Sequence, residues 1–220
     1  PKDQVTFVQE LQKAGYHTVL SGKNHMGKAG ELGFEESSDS GPSGSETWVR
    51  HLRERPKDKP FFCWFASHDA HHGWGFNDKA PRYAPGDIEV PPMLFDGPGT
   101  REDLAGYFHE VSRTDYYAGE IMKELEAQGI AGRTYFIYCA DNGRPFPRCK
   151  TYLYDSGIKT PLLVTGPGVA HGRTDSLVSS IDLSATVLDL AGVEKPETVQ
   201  GVSMVPVLRV PTATTRRVAF

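Results

Sequence analysis

The sequence is poor in cysteine, in long apolar runs and in any bias of charge, and each shortage excludes a class of protein. Its 220 residues hold only Cys63, Cys139 and Cys149, an odd number with no C-x-x-C spacing, so neither a disulfide framework nor a zinc ribbon is indicated. The longest apolar stretches, Phe61 to Ala66 and Tyr135 to Ala140, fall far short of the ~20 residues that span a bilayer. No span is expected. Basic and acidic residues number 24 and 28, interspersed and leaving a net charge of -4, which argues against a nucleic-acid binder with a basic face. No leader peptide opens the chain, and a chain starting at Pro1 rather than Met is expected to be part of a longer one. Also missing are the Gly-rich phosphate loops, the G-x-S-x-G elbow and the zinc H-E-x-x-H helix, which removes the commonest nucleotide-binding, serine-hydrolase and metalloprotease readings.

A hydrophobic fraction of 38% suffices for a single core. Val5 to Ala14 shows helical spacing closed by Gly15, and Tyr16 to Leu20 reads as a strand. Glu46 to Arg55 reads as a helix with Ser45 as N-cap, followed by a buried strand over Pro60 to Ala66. The clearest helix begins at a Thr100 cap and places Leu104, Phe108, Val111, Asp115, Ala118, Met122 and Leu125 at three- and four-residue steps before Gly129. Arg133 to Ala140, Pro161 to Thr165 and Leu177 to Ser180 read as strands, and Ile181 to Ala191 as a helix ending at Gly192. This alternation, with continuously apolar strands, predicts an α/β domain of three layers, its mainly parallel sheet covered on both faces.

Polar clusters fall just past three of the strands, where ligands gather in such sheets. They are Lys23-Asn24-His25, His68-Asp69-Ala70-His71-His72, and Asp141-Asn142 with Lys150 following. Asp141 and Asn142 offer hard oxygen donors to calcium or magnesium, although Asp-Asn-Gly is also an ordinary turn sequence. Lys23 and His25 can face an anion, or can be a solvated lysine and a backbone-bonded histidine. His68, His71 and His72 can ligate metal or move protons near neutrality, at least one of them being structural. Taken together, two lysines, two or more histidines and an Asp-Asn pair suit an anionic ester.

In collinear order these residues resemble the sulfatase family. Ala14-Gly15-Tyr16-His17-Thr18 and Gly22-Lys23-Asn24-His25-Met26-Gly27 are similar to its A-G-Y-x-T and G-K-x-H-x-G. Pro60-Phe61-Phe62 running to His68-Asp69-Ala70-His71 resembles its P-F-F strand and H-x-x-H. Asp141-Asn142-Gly143, Lys150, Tyr154-Asp155-x-Gly157 and Pro161 resemble the D-N-G block. Ser180-Ile181-Asp182-Leu183 through Leu190-Ala191-Gly192, with Gly201-Val202-Ser203 and Leu208, resembles the D-L-x-x-T-x-L-x-x-A-G and G-x-S-L segment.

The resemblance implies an alkaline-phosphatase-like α/β/α fold and hydrolysis of sulfate esters or sulfamates. By it, Asp141 and Asn142 would hold Ca2+, and Lys23 and Lys150 would bind sulfate oxygens. His25 would contact the hydroxyls of a formylglycine nucleophile, and His71 would protonate the leaving group. A sulfated carbohydrate is the implied substrate, such as heparan sulfate, and the compartment periplasmic, secreted or lysosomal. Gly22-Lys23-Asn24-His25, Ile88-Glu89-Val90-Pro91 and Asp141 through Arg148 look most like the heparan N-sulfatase branch.

The family's C/S-x-P-S-R, source of the formylglycine, occurs nowhere in the 220 residues, nor do its paired N-terminal aspartates. Residues 1–220 are therefore expected to be the central and C-terminal part of a sulfatase catalytic domain, inactive alone. Two other readings remain open: a phosphodiesterase or phosphonate hydrolase of the same superfold, and a non-catalytic binder of sulfated glycans.

Overall fold

A computed structural model describes residues 4–218. Helix α1 (Phe7–Lys13) starts at a capping box in which Thr6 and Gln9 satisfy each other's backbone N–H groups, and the chain turns at Gly15 with φ of 89° into strand β1 (His17–Gly22). A short strand the pattern does not announce, β2 (Glu36–Ser38), pairs with β1 in parallel. Helix α2 (Trp48–Glu54) leads to β3 (Phe61–Ala66), which lies parallel to β1 on its other side with Gly22 opposite Ala66. The 30-residue helix α3 (Pro98–Ala127) follows, then β4 (Phe136–Cys139), α4 (Asp155–Ile158), β5 (Leu162–Thr165), α5 (Asp182–Ala191) and α6 (Val205–Arg209).

The side-chain alternation of β3 shows the three layers directly. Phe61, Cys63 and Phe65 pack against Trp48 and Leu52 of α2 and Ile121 and Leu125 of α3. Phe62 packs instead with Leu11 of α1 and Ala185 and Leu188 of α5, on the opposite face. A strand covered on both sides must be apolar at every position, which is why Phe61 to Ala66 carries no polar residue. Burial pushes the Cys63 thiol up to about 12, so this cysteine is an inert part of the core.

The structure departs from the sequence reading in its strand pairing and at several element ends. Strands β4 and β5 are antiparallel and form their own pair, outside the ladder of β2, β1 and β3, so the three polar clusters do not all end strands of one sheet. Residues 177–180 form no strand, because the Ser179 N–H is taken by the Asp182 carboxylate in a turn entering α5. Ser45 does not cap α2: its hydroxyl donates to Ser67 Oγ at 3.2 Å, and the helix starts later, after Thr47. Helix α3 begins before Thr100, at Pro98, where a missing N–H goes unneeded.

The expected apolar stripe of α3 is also rotated. Val111 and Asp115 are exposed, whereas His109, Glu110 and Arg113 are buried with Leu104, Ile121 and Leu125.

Candidate active site

Three loops leave the strand ends. At the end of β1, Gly22 has φ of 97°, and a Cβ there would overlap the Ala66 carbonyl oxygen. Only glycine lets β1 and β3 stay paired to their last residue. The Lys23 N–H then donates to that same carbonyl at 2.8 Å, which holds the lysine beside the loop leaving β3. Asn24 closes a turn of its own, its Oδ1 accepting from Met26 N–H at 2.9 Å and its Nδ2 donating to Gly27 O at 2.7 Å. His25 is exposed on that turn, and the half-buried Lys23 amine makes no ion pair among the described residues.

Of the three histidines after β3, two are held by carboxylates. His68 Nε2 meets Asp39 at 2.8 Å, and His72 Nε2 meets Asp103 at 3.1 Å. Asp103 also accepts from Trp74 Nε1 at 2.6 Å. His71 is exposed and differently placed: its Nδ1 donates to the His72 carbonyl at 2.8 Å, which leaves Nε2 as the position that exchanges protons with whatever lies outside.

Beneath His71 lies a buried ionic network. Arg113 of α3 reaches Asp69 with two parallel bonds, Nε to Oδ2 at 2.8 Å and Nη2 to Oδ1 at 2.5 Å, and gives a third to the Gly75 carbonyl at 3.0 Å. Glu110, one helical turn earlier, accepts from the N–H groups of His71 at 3.2 Å and Gly75 at 2.7 Å and lies 3.4 Å from Arg113. Both ends of the segment 69–75 are thus tied to one helix, and His71 sits between the ties.

Burial is the largest influence on the Glu110 carboxyl and pushes it above its ordinary 4.5, with the Asp69 charge adding to the rise; the Gly75 and His71 N–H groups and Arg113 oppose it. A raised carboxyl binds its proton more tightly folded than unfolded. Its stabilising contribution is present below pH 4.5 and fades as pH climbs through the folded value. Glu110→Gln cannot titrate, so its deficit against wild type, read from urea midpoints, is expected to shrink as pH rises from 4.5 toward neutrality. A deficit that widens over that range would show that Glu110 is held as a favoured anion instead.

Beyond β4, the half-buried Asn142 donates its Nδ2 to Gly143 O at 2.7 Å, leaving its Oδ1 as a free acceptor, and the exposed Asp141 has no hydrogen bond or ion pair among the described residues. Gly143 donates to Gly157 O at 2.8 Å, and a Cβ on Gly143 would overlap the Ser156 carbonyl, so the D-N-G and Y-D-x-G segments must touch through glycine. Lys150 N–H donates to Arg144 O at 3.0 Å, closing a compact loop. That loop meets the histidine segment through aromatic rings: Phe146 lies 5.7 Å from His72 and 6.3 Å from Trp74 between ring centres.

The structure therefore links Lys23 to the loop leaving β3 by strand pairing, and that loop, through His72 and Trp74, to the Lys150 loop by packing. Asp141 and Asn142 present free oxygens, the correct polarity for a hard cation, but two donors fall short of the about six to eight that calcium takes. Among the described residues no group of three or more His, Cys, Asp or Glu side chains is gathered closely enough to hold a metal. The support given by Glu110, Arg113 and Asp103 was not visible in the sequence motifs, whereas Phe146 lay within the Asp141 to Arg148 motif.

The three-layer α/β fold carries the motif-bearing loops at the ends of β1, β3 and β4. A sulfatase family model matches residues 43–193, and the chain belongs to the sulfatase family. It is 31% identical over 84% of its length to N-sulphoglucosamine sulphohydrolase of Homo sapiens, of which it covers 44%. The chain thus spans less than half of that relative. In fold it is similar to a protein solved with its substrate D-glucosamine-2-N,6-O-disulfate (TM-score 0.77, 18% identity, 99% of this chain and 67% of the other). It is as similar to a phosphonate monoester hydrolase from Silicibacter pomeroyi (TM-score 0.77, 18% identity, 99% and 63%). The fold likeness is equal for the sulfated-sugar complex and the phosphonate hydrolase, and does not choose between sulfate and phosphonate esters.

Proposed function

We propose that the chain is the substrate-binding segment of a sulfuric ester or sulfamate hydrolase acting on sulfated glycans, with the N-sulfated glucosamine of heparan-type chains as the preferred substrate. The observation that carries this is the linking of the three motif-bearing loops, with the side chains of Lys23 and Lys150 left free of ion pairs among the described residues. A group with charge spread over several oxygens needs fixed cations, and these two supply them. The 31% identity to an N-sulphoglucosamine sulphohydrolase supports the choice of an N-sulfated sugar.

In this reading Lys23 and Lys150 bind sulfate oxygens, His71 gives its Nε2 proton to the departing sugar oxygen or nitrogen, and His25 lies toward the nucleophile. Asp141 and Asn142 would hold Ca2+, which when bound offsets sulfate charge. No cysteine or serine of the 220 residues lies in C/S-x-P-S-R, so the attacking group would come from elsewhere in a longer protein.

The 220-residue chain is then expected to bind inorganic sulfate in a salt-sensitive manner without releasing sulfate from an ester. Lys23→Ala and Lys150→Ala should each weaken that binding about tenfold by calorimetry or NMR titration. Unchanged affinity in both variants would remove the reading, and calcium-dependent turnover by the purified chain would contradict the assignment of the nucleophile to other residues.

A further inference from the structure

Two tyrosines beside Lys150 have no part in the chemistry so far. Tyr152 is 53% exposed and Tyr154 58% exposed, large values for aromatic rings. Their rings are near parallel, 18° between planes and 6.2 Å between centres. They stand two residues apart across Leu153, itself 91% exposed. Their backbone is firmly held: Tyr152 N–H donates to Cys149 O at 3.0 Å, and the Tyr154 carbonyl accepts from Gly157 N–H at 2.8 Å and Ile158 N–H at 3.1 Å. Neither phenolic hydroxyl has a partner among the described residues.

The charge along this stretch is mainly positive. Between residues 142 and 159 the cations are Arg144, Arg148, Lys150 and, past α4, Lys159, against the single carboxylate of Asp155, and none of the four cations forms an ion pair among the described residues. Arg53 and Arg101, by contrast, are neutralised by Glu124 and Asp96. A flat aromatic surface with free hydroxyls, beside uncompensated cations, matches a ligand with an apolar ring face, hydroxyl groups and attached anions. A sulfated pyranose has all three.

We propose that Tyr152 and Tyr154 form a stacking platform that takes a pyranose ring of the sulfated glycan, with Lys150 and Arg148 meeting its anionic groups. The proposal rests on the sulfated-glycan reading above and adds to it the residues that recognise the sugar rather than the sulfate. A backbone held before binding leaves only the two ring torsions to order on stacking, and the gain falls on affinity for the saccharide alone.

The test titrates the 220-residue chain by NMR with a heparin-derived sulfated disaccharide and, separately, with inorganic sulfate. The double variant Tyr152→Ala, Tyr154→Ala is expected to weaken disaccharide binding about tenfold while sulfate binding stays as in wild type. Tyr152→Phe with Tyr154→Phe should restore most of the loss, since stacking survives. Disaccharide affinity unchanged in the double alanine variant overturns the platform, as it would if another protein surface covered these rings. Equal loss toward both ligands also overturns it, because that marks a disturbed loop. Failure of the underlying reading is seen separately, as sulfate affinity that Lys150→Ala does not alter. Binding of neither ligand by the wild-type chain overturns both.

Discussion

Replacement of Arg113 by methionine is expected to lower the stability of the fold by about 3–5 kcal/mol, the usual consequence of removing one partner from a buried ion pair. Methionine keeps most of the volume, so the loss measures charge and hydrogen bonding rather than a cavity. The side chains of Arg113 and Asp69 are 1% and 2% exposed and that of Glu110 is 4% exposed. Without the guanidinium, two carboxylates face each other in the interior with no cation. The Gly75 carbonyl loses its donor as well. Burial already raises the Asp69 carboxyl although Arg113 opposes it, so removing Arg113 should send both carboxyls higher. The variant can escape by taking up a proton, and its deficit should be smaller at pH 5 than at pH 7. Urea or thermal unfolding at the two pH values measures this. A loss below about 1 kcal/mol at neutral pH, the level of a surface pair, would show that the network does not hold the fold together.

That network explains why part of the site was hidden in the sequence. In α3 the stripe ending in Ile121 and Leu125 continues backward at helical steps to Tyr117, Arg113, His109 and Gly106. Reading apolar residues as the buried face instead passes through Val111 and Asp115, which are exposed. The helix was legible from its period, but the face was not, because polar residues buried through mutual pairing look like a solvent face in one dimension. Extending the unambiguous apolar end of the helix would have reached Arg113.

The motif-bearing loops were legible for a different reason: those after β3 and β4 follow strands whose continuous apolar runs are easy to see. Gly22, Gly143 and Gly157 mark where two backbones touch, and those contacts fix the loops that carry Lys23, Asp141 and Lys150. Pairing between strands was less accessible. Nothing in Phe136–Cys139 or Leu162–Thr165 distinguishes an antiparallel pair from two members of a parallel sheet, since four-residue strands carry almost no register information. Strand β2 was missed because Glu36-Ser37-Ser38 is polar; it is held by Ser38 Oγ, which lies 2.7 Å from His51 Nε2 and 3.0 Å from Ser21 Oγ.

Under the proposed function, the largest effect on catalysis is expected at His71, read in a chain extended to include a formylglycine sequence. Its Nδ1 is committed to the His72 carbonyl, and its backbone N–H to Glu110, so the imidazole presents Nε2 outward in a fixed direction. A sugar alkoxide or amine leaves poorly unless it is protonated as the bond to sulfur breaks, and a positioned acid contributes about 10²–10⁴-fold to such a step. His71→Ala should therefore lower kcat/KM toward a sulfated glucosamine by about that factor. Toward nitrophenyl sulfate, whose leaving group departs unaided, the same variant should lose far less. The contrast separates proton transfer from mere positioning of sulfate, since a residue that only binds the anion would affect both substrates alike. Glu110→Gln adds a control, because it disturbs the N–H anchor of His71 while keeping the imidazole. It should reduce activity toward both substrates modestly and shift the alkaline limb of the pH profile, the one a general acid governs, less than loss of His71 does. Equal losses of His71→Ala on the two substrates would remove this histidine from the role of acid and leave it as an anion ligand beside Lys23 and Lys150.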